Sequence, residues 1–173
     1  MVTLTKKEVF KLNKNLKMHK VLNDVADIIV KDIKEGISKH SRDVNDRPFK
    51  RLSENTIASK KFKGSPFPNK PLYDEGKMKN VYVSKRAGNY AEISPNNRDR
   101  RKANIVHQEG SGPYTIRPKN KKILSFYTSR GRTFSKEVKH PGNKVREWFG
   151  VSPRTAKPID TAVKEHIRKA LKK

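Results

Sequence analysis

Hydrophobic residues in the N-terminal part of the chain recur every three or four positions, which is the period of an α-helix. They form an apolar stripe that has polar residues on either side. The members of the stripe are Leu22, Val25, Ile29, Ile33 and Ile37. A helix with such a stripe buries it against the rest of the fold. The pattern predicts a long amphipathic helix over residues 16–38, preceded by a short helix over residues 3–14.

The next stretch, residues 39–77, is polar and rich in proline. Ser53 is placed to cap a short helix that runs to about Phe62 and stops near Gly64. The three prolines that follow force the backbone to be extended or turning. We therefore expect residues 39–77 to form an extended loop or arm region within a single domain of residues 1–173.

The period changes to two from Met78 onward, which indicates β-strands. One hairpin is expected to pair residues 81–83 with residues 90–93. A second pairs residues 122–127 with residues 132–138. Residues 114–117 are a further predicted strand, and residues 99–109 a short helix.

The C-terminal part returns to helical spacing. Apolar residues repeat every four positions in the last helix: Ile159, Val163, Ile167 and Leu171. Residues 143–149 are expected to form a short helix, and residues 140–158 a linker before the last one. The predicted fold class is α+β, an antiparallel β-sheet of two hairpins flanked by a long N-terminal helix and a C-terminal helix.

Composition narrows the possible functions. Of the 173 residues, 32% are hydrophobic and 34% are charged, and the mean hydropathy is −0.95, so the core is expected to be small. The formal net charge is +25. A charge of this size favours nucleic acid or an acidic protein surface as partner, although a lysine-rich exterior also arises simply to keep a protein soluble.

Several classes of protein are disfavoured by what the sequence lacks. There is no cysteine, so disulfides and thiolate metal sites are excluded. The N-terminus has no apolar signal-peptide core, and the longest apolar run, Ile28-Ile29-Val30, is far too short to span a membrane. We expect no contact with a membrane.

Catalytic and metal-binding patterns are also missing. The five histidines are scattered without ligand spacing. Asp43, Asn45 and Glu54 match a calcium-loop register, but Arg47 and Pro48 occupy the positions of a ligand and of the required glycine. With no nucleotide-binding or hydrolase motif either, we expect no enzyme activity, no metal and no cofactor.

Aromatic residues stand among basic ones in the predicted strands: Tyr82, Tyr90, Phe126, Tyr127 and Phe134. They suit a stacking platform for single-stranded nucleic acid, but strands favour aromatics for packing and we expect them to fill the sheet core. Trp148 and Phe149 lie beside turns and next to charged residues. We interpret this pair as an anchor for an arm or a neighbouring subunit.

Six short segments, taken in order, resemble motifs of the phage virion-morphogenesis and tail-completion proteins. Residues 47–53 (RPFKRLS) resemble the loop G-x-P-F-x-P-L-S of that family. Residues 71–78 (PLYDEGKM) are similar to P-L-x-x-T-G-x-L, with Glu75 in place of Thr. Residues 104–110 (NIVHQEG) resemble A-x-x-H-x-x-G.

The other three segments lie in the C-terminal half. Residues 116–126 (IRPKNKKILSF) resemble I-x-P-K-x-x-K-x-L-x-F, and residues 138–144 (VKHPGNK) resemble V-x-H-P-G-x-K. Residues 146–152 (REWFGVS) resemble R-P-F-L-G-x-S, with Glu147 in place of Pro. The resemblance extends over roughly residues 16–171.

The resemblance implies a non-enzymatic structural subunit of a tailed bacteriophage. Such a subunit assembles in the host cytoplasm into a homo-oligomeric ring, expected to be a hexamer, at the neck of the virion. The ring caps the tail tube protein and meets the connector or stopper proteins of the head, and passing DNA is a further possible contact. The candidate contact residues are those of the motif turns: Pro48, Phe49, His140, Pro141, Gly142, Trp148, Phe149 and Gly150.

Two other interpretations stay open at this point. The charge suits a basic nucleic-acid-binding protein, whose binding would weaken strongly with salt. A metal-dependent nuclease is the third interpretation, although the sequence offers only 17 acidic residues from which to build a metal site.

Overall fold

The computed structural model describes residues 15–95 and 101–172. The helix expected at residues 3–14 lies outside these ranges. The predicted long helix is confirmed as α1, Met18–Glu35, which continues as a π-helical turn, Gly36–His40. It ends where Ser41 adopts a left-handed conformation with φ 51°. The buried face of α1 runs beside the predicted stripe. Val21, Ala26 and Val30 are buried together with Ile33, whereas Leu22, Val25 and Ile29 are half-buried.

The capped short helix is also confirmed, as α2, Glu54–Phe62. The Ser53 side chain accepts a hydrogen bond of 3.3 Å from the backbone N–H of Thr56, as an N-cap residue does. The helix at residues 99–109 is observed as α3, Arg101–Glu109, and the last helix as α4, Ala156–Lys172.

The strands form three separate antiparallel pairs. The two predicted hairpins are present, as β1 (Val81–Arg86) with β2 (Ala91–Pro95) and as β4 (Leu124–Thr128) with β5 (Gly131–Ser135). The third pair joins β3, Tyr114–Ile116, to β6, Val138–His140. The α+β fold class is confirmed. The predicted strand at 132–138 is divided into β5, which ends at Ser135, and β6, which begins at Val138. Since β3 precedes the second hairpin in the chain and β6 follows it, the β3–β6 pair brackets that hairpin.

The prediction of a helix at residues 143–149 is wrong. This segment is extended, because its backbone N–H groups find acceptors far away in the chain. Those of Asn143, Arg146 and Trp148 donate to Ser111, His107 and Gln108, respectively. In a helix, the N–H groups of Arg146 and Trp148 would instead donate to carbonyls four residues earlier in the chain.

The core lies between α1, the first hairpin and the loops that cross them. Its buried members come from every part of the chain: Val30, Ile33, Ile37, Phe49, Met78, Val81 and Trp148. On the other side of α1 lies α4, where Asn15 donates from its amide to the backbone oxygen of Ala170. The core is small, as the composition predicts.

The strand aromatics do not all fill the core, which corrects our expectation. Tyr82, Tyr90 and Phe134 are exposed. Tyr82 stands between Val81 and Val83 on β1, so strand alternation directs it away from the core that buries Val81. Tyr127 instead stacks on Phe62 of α2, with ring centroids 3.4 Å apart.

A charged network holds the segment before α4 to α1. Arg154 forms ion pairs with Asp32 at 2.8 Å and with Asp46 at 2.6 Å, and the Ser152 hydroxyl donates to Asp32 at 2.7 Å. These bonds raise the pKa of Arg154 and lower that of Asp46. They fix α1, the loop after it and the C-terminal segment in one arrangement. Among the described helices, none has the length and apolar character needed to cross a membrane.

Candidate subunit-contact site

Three of the motif segments meet in the core. Phe49 from residues 47–53, Met78 from residues 71–78 and Trp148 from residues 146–152 belong to one buried cluster. Trp148 is 3% exposed, and its indole N–H points at the backbone oxygen of Asn104 at 3.5 Å. Segments up to a hundred residues apart in sequence therefore pack together.

The 104–110 segment reaches the same place through Gln108. Its side-chain oxygen accepts hydrogen bonds from the backbone N–H groups of Trp148 and Phe149, at 3.1 and 3.2 Å. Its amide nitrogen donates to the backbone oxygen of Phe149 at 3.2 Å. One side chain thus replaces the bonds that a helix at residues 143–149 would have made.

The 138–144 turn packs against the loop after α3. Ser111 and Asn143 exchange two backbone hydrogen bonds, of 3.0 and 3.1 Å. Gly142 has φ +90°, and a Cβ there would lie 2.2 Å from the backbone oxygen of Ser111. The side chain of His140 accepts from the Gly142 N–H at 3.0 Å, and its ring stacks on Tyr114.

His107 and Arg146 are the titratable groups of this junction. The backbone N–H of Arg146 donates to the backbone oxygen of His107 at 2.7 Å. Burial lowers the pKa of the His107 imidazole, and the neighbouring Arg146 guanidinium lowers it further. Burial also lowers the pKa of Arg146. The structure therefore favours the neutral imidazole at this position.

The structure separates the candidate contact residues into two groups. Phe49 and Trp148 are buried inside this chain, at 8% and 3% exposure, and so offer almost no surface of their own to a partner. Phe149 lies against the same core. Pro48 and Pro141 are exposed, whereas His140, Gly142 and Gly150 are half-buried.

Two apolar side chains beside this group were missed by the sequence reasoning. Val145 is 49% exposed and Val151 is 65% exposed, on either side of the buried Trp148. No periodic pattern marks them, because the segment that carries them is neither helix nor strand. Together with Pro48 and Pro141 they are among the accessible residues of the motif region.

A groove of about 810 Å³ opens between α2, the 70–78 loop and strands β3, β4 and β6. We call it the α2 groove. Apolar side chains line much of it: Leu52, Leu72, Met78, Ile116, Leu124, Phe126 and Val138. Lysines and two acidic residues also line it, among them Lys63, Lys139 and Asp74.

Lys60 holds one wall of the α2 groove. This buried ammonium donates to the backbone oxygens of Phe67, Lys70 and Tyr73, at 3.0, 2.8 and 2.8 Å. Burial lowers the pKa of Lys60, and the carboxylate of Asp74 opposes that shift. The lysine therefore holds the proline-rich loop to α2, because three backbone carbonyls of the loop accept hydrogen bonds from its charged ammonium group.

The described side chains offer packing surfaces and charge. Asp43, the first position of the calcium-like register, accepts from the backbone N–H groups of Asn45 and Arg47. Within residues 15–95 and 101–172, no three His, Asp or Glu side chains are grouped so as to hold a metal ion. The chain matches no protein-family model, no curated protein and no solved structure.

Proposed function

We propose that this chain is a non-enzymatic structural protein of a tailed bacteriophage, a tail-completion subunit that forms a ring at the neck. The ring caps the tail tube and joins it to the head connector. One observation carries the proposal. Five of the six segments that resemble the tail-completion family meet around Trp148 and the Ser111–Asn143 junction, although they are spread between residues 47 and 152.

Convergence of this kind supports the resemblance on physical grounds. An accidental match would scatter over the surface, whereas these segments supply the residues on which the packing depends. Gln108 is needed to bind an extended backbone, and Gly142 is needed where no Cβ fits. If the chain shares the fold of that family, the order of the six motifs along the chain is explained by that fold.

Exposed apolar side chains support assembly. Val145 and Val151 place apolar surface beside the motif region, at 49% and 65% exposure. A subunit can bury such side chains against neighbours, and a ring closes such head-to-tail contacts.

Removal of the chain from infected cells tests the proposal. If it completes the tail, electron microscopy of lysates without it will show separate heads and tails, with ragged or over-long tail ends. Supplying the unmodified chain from a plasmid should restore joined particles. Normal infectious particles in its absence would contradict the role.

Retention at high salt separates this role from that of a basic nucleic-acid-binding protein. A ring subunit should stay with particles washed in about 1 M salt, where electrostatic contacts to phosphates are weak. Release of the chain under these conditions, with particles left intact, would favour the nucleic-acid-binding alternative.

A further inference from the structure

Residues 114–140 form two antiparallel ladders with an excess of positive charge. The segment holds eight basic side chains, all exposed, and a single acidic one, Glu137. The basic residues are Arg117, Lys119, Lys121, Lys122, Arg130, Arg132, Lys136 and Lys139. We call this segment, β3 to β6, the basic ribbon.

Few of these cations are neutralised by the rest of the chain. Arg117 pairs with Glu137 at 3.2 Å, and Arg132 donates to the Ser125 hydroxyl at 3.0 Å. The other six side chains form no hydrogen bond or ion pair with residues 15–95 and 101–172. Unpaired cations in such a line attract a polyanion and repel a second copy of this chain.

The basic ribbon is rigidly mounted. Asn55 of α2 accepts from the backbone N–H of Ser129 at 3.1 Å, at the tip of the β4–β5 hairpin. Stacking of Tyr127 on Phe62 adds a second attachment. A partner therefore meets a preformed surface and does not have to order it.

We propose that the basic ribbon binds the phosphate backbone of duplex DNA. Contacts to phosphates dominate the affinity of proteins for duplex DNA, and the cations of the strands and loops of the ribbon supply such contacts. The exposed hydroxyl of Ser125 accepts from Arg132 and keeps its own proton to donate to a phosphate oxygen.

An acidic protein is the less suitable partner. Five of the eight cations are lysines, which are depleted from protein interfaces, whereas a compact apolar centre is typical of binding hot spots. The most exposed aromatic of the ribbon, Phe134, has the Arg132 guanidinium 5.2 Å from its ring centroid. This binding goes beyond the neck role and is tested independently of it.

Matched charge removal tests the proposal with the full chain. The ribbon variant carries Lys122→Gln, Arg130→Gln and Lys136→Gln. The control carries Lys157→Gln, Arg168→Gln and Lys169→Gln, which remove the same charge from exposed positions of α4. Binding to a 30-bp duplex of random sequence is followed by fluorescence anisotropy over a salt series, after circular dichroism has verified both folds.

We expect the ribbon variant to lose about tenfold or more in affinity near 0.1 M salt. Its slope of log affinity against log salt should fall by about 2 to 3, because each phosphate contact contributes about 0.9. The control should keep the slope of the unmodified chain. Equal losses in the two variants would overturn the proposal, since the charge would then act without a specific surface.

Competition and footprinting complete the test. Tighter binding to single-stranded DNA, or equal dependence on the ribbon for binding poly-glutamate, would overturn the assignment to duplex DNA. On the unmodified chain, bound duplex should protect Lys119, Lys121 and Lys122 from acetylation and leave Lys157 and Lys169 reactive. Protection of both groups, or of neither, would also count against the proposal.

Discussion

At the scale of single residues, the contact between Gly142 and Ser111 leaves no room for a side chain. The Ser111 oxygen would lie 2.2 Å from an added Cβ, and the backbone of Gly112 would lie at 2.8 Å. Gly131 has a similar left-handed backbone, with φ +101° against +90°, but nothing lies within 4 Å of its missing Cβ. Comparing alanine substitutions at the two glycines therefore separates the cost of backbone strain from the cost of a steric clash.

We expect Gly142→Ala to lower the free energy of unfolding by about 2 to 4 kcal/mol, because strain and a backbone clash combine. Gly131→Ala should cost only about 1 to 2 kcal/mol, the penalty of a left-handed conformation alone. Urea denaturation of both variants measures the difference. Equal losses would show that the Ser111–Asn143 junction is free to open.

His107 links stability to pH. Its folded-state pKa is lowered by burial and by Arg146, while the unfolded value is about 6.5. Below about pH 6.5 the unfolded chain therefore binds more protons than the folded one, and stability falls as pH falls. Above that pH, the contribution of the neutral imidazole is fully present.

We expect the denaturation midpoint to decrease from about pH 7 to 5.5, a range above most carboxylate titrations. His107→Gln should flatten this dependence, whatever its cost at neutral pH, because glutamine does not titrate in the range. The exposed His19→Gln serves as the control and should leave the profile unchanged. An unaltered profile in His107→Gln would exclude His107 as the source.

At the scale of elements, the sequence predicts the helices and strands whose apolar residues recur at a regular spacing. It does not predict the conformation of segments that are neither helix nor strand. Helices α1 and α4 and both hairpins follow from the spacing of their apolar residues, since each buries one face. The segment at 143–149 has apolar residues at helical spacing too. Its conformation is decided by Gln108 and Ser111, which are close to it only after folding.

The same reason limits what could be predicted of the candidate site. Each motif segment can be recognised in the sequence by itself. Their packing around Trp148 depends on long-range contacts that no local pattern contains. Trp148, interpreted as an anchor for an arm or a neighbouring subunit, packs in one cluster with Phe49 of the 39–77 arm region. Tyr82 could have been assigned to the surface from the alternation with Val81 and Val83 alone.

The loop at residues 63–73 depends on one side chain of α2. We expect Lys60→Met to lower the free energy of unfolding by about 2 kcal/mol, because three part-buried carbonyls lose their donor. Hydrogen exchange should accelerate in this loop. Lys61→Met, at the exposed neighbouring position, is the control and should change neither quantity. Unchanged exchange in Lys60→Met would mean that other contacts hold the loop.

At the scale of the whole molecule, the net charge opposes the proposed assembly. A ring of six chains would carry about +150, six times the +25 of one chain, and such a charge resists closure. A counter-charge is therefore needed, from salt or from a polyanionic partner. The basic ribbon holds eight of the 42 basic residues.

We expect association to increase with salt. Raising it from about 0.05 to 0.5 M shortens the Debye length to roughly 4 Å and screens the repulsion between subunits. Sedimentation velocity over a range of protein concentrations should show a larger mean mass at the higher salt. Oligomers that form at low salt and dissociate at high salt would contradict this, because ion pairs between subunits would then dominate.

The packing of α1 on α4 has a consequence for synthesis of the chain. His166 of α4 bonds to Asp24 of α1 at 2.7 Å, and Asn15, just before α1, bonds to Ala170 of α4. During translation, the part of α1 that α4 covers stays open until α4 has left the ribosome. Such long-range closure is slow to form. A nascent chain that stalls before α4 would present this apolar face to chaperones, and proteases would remove it before it could enter an assembly.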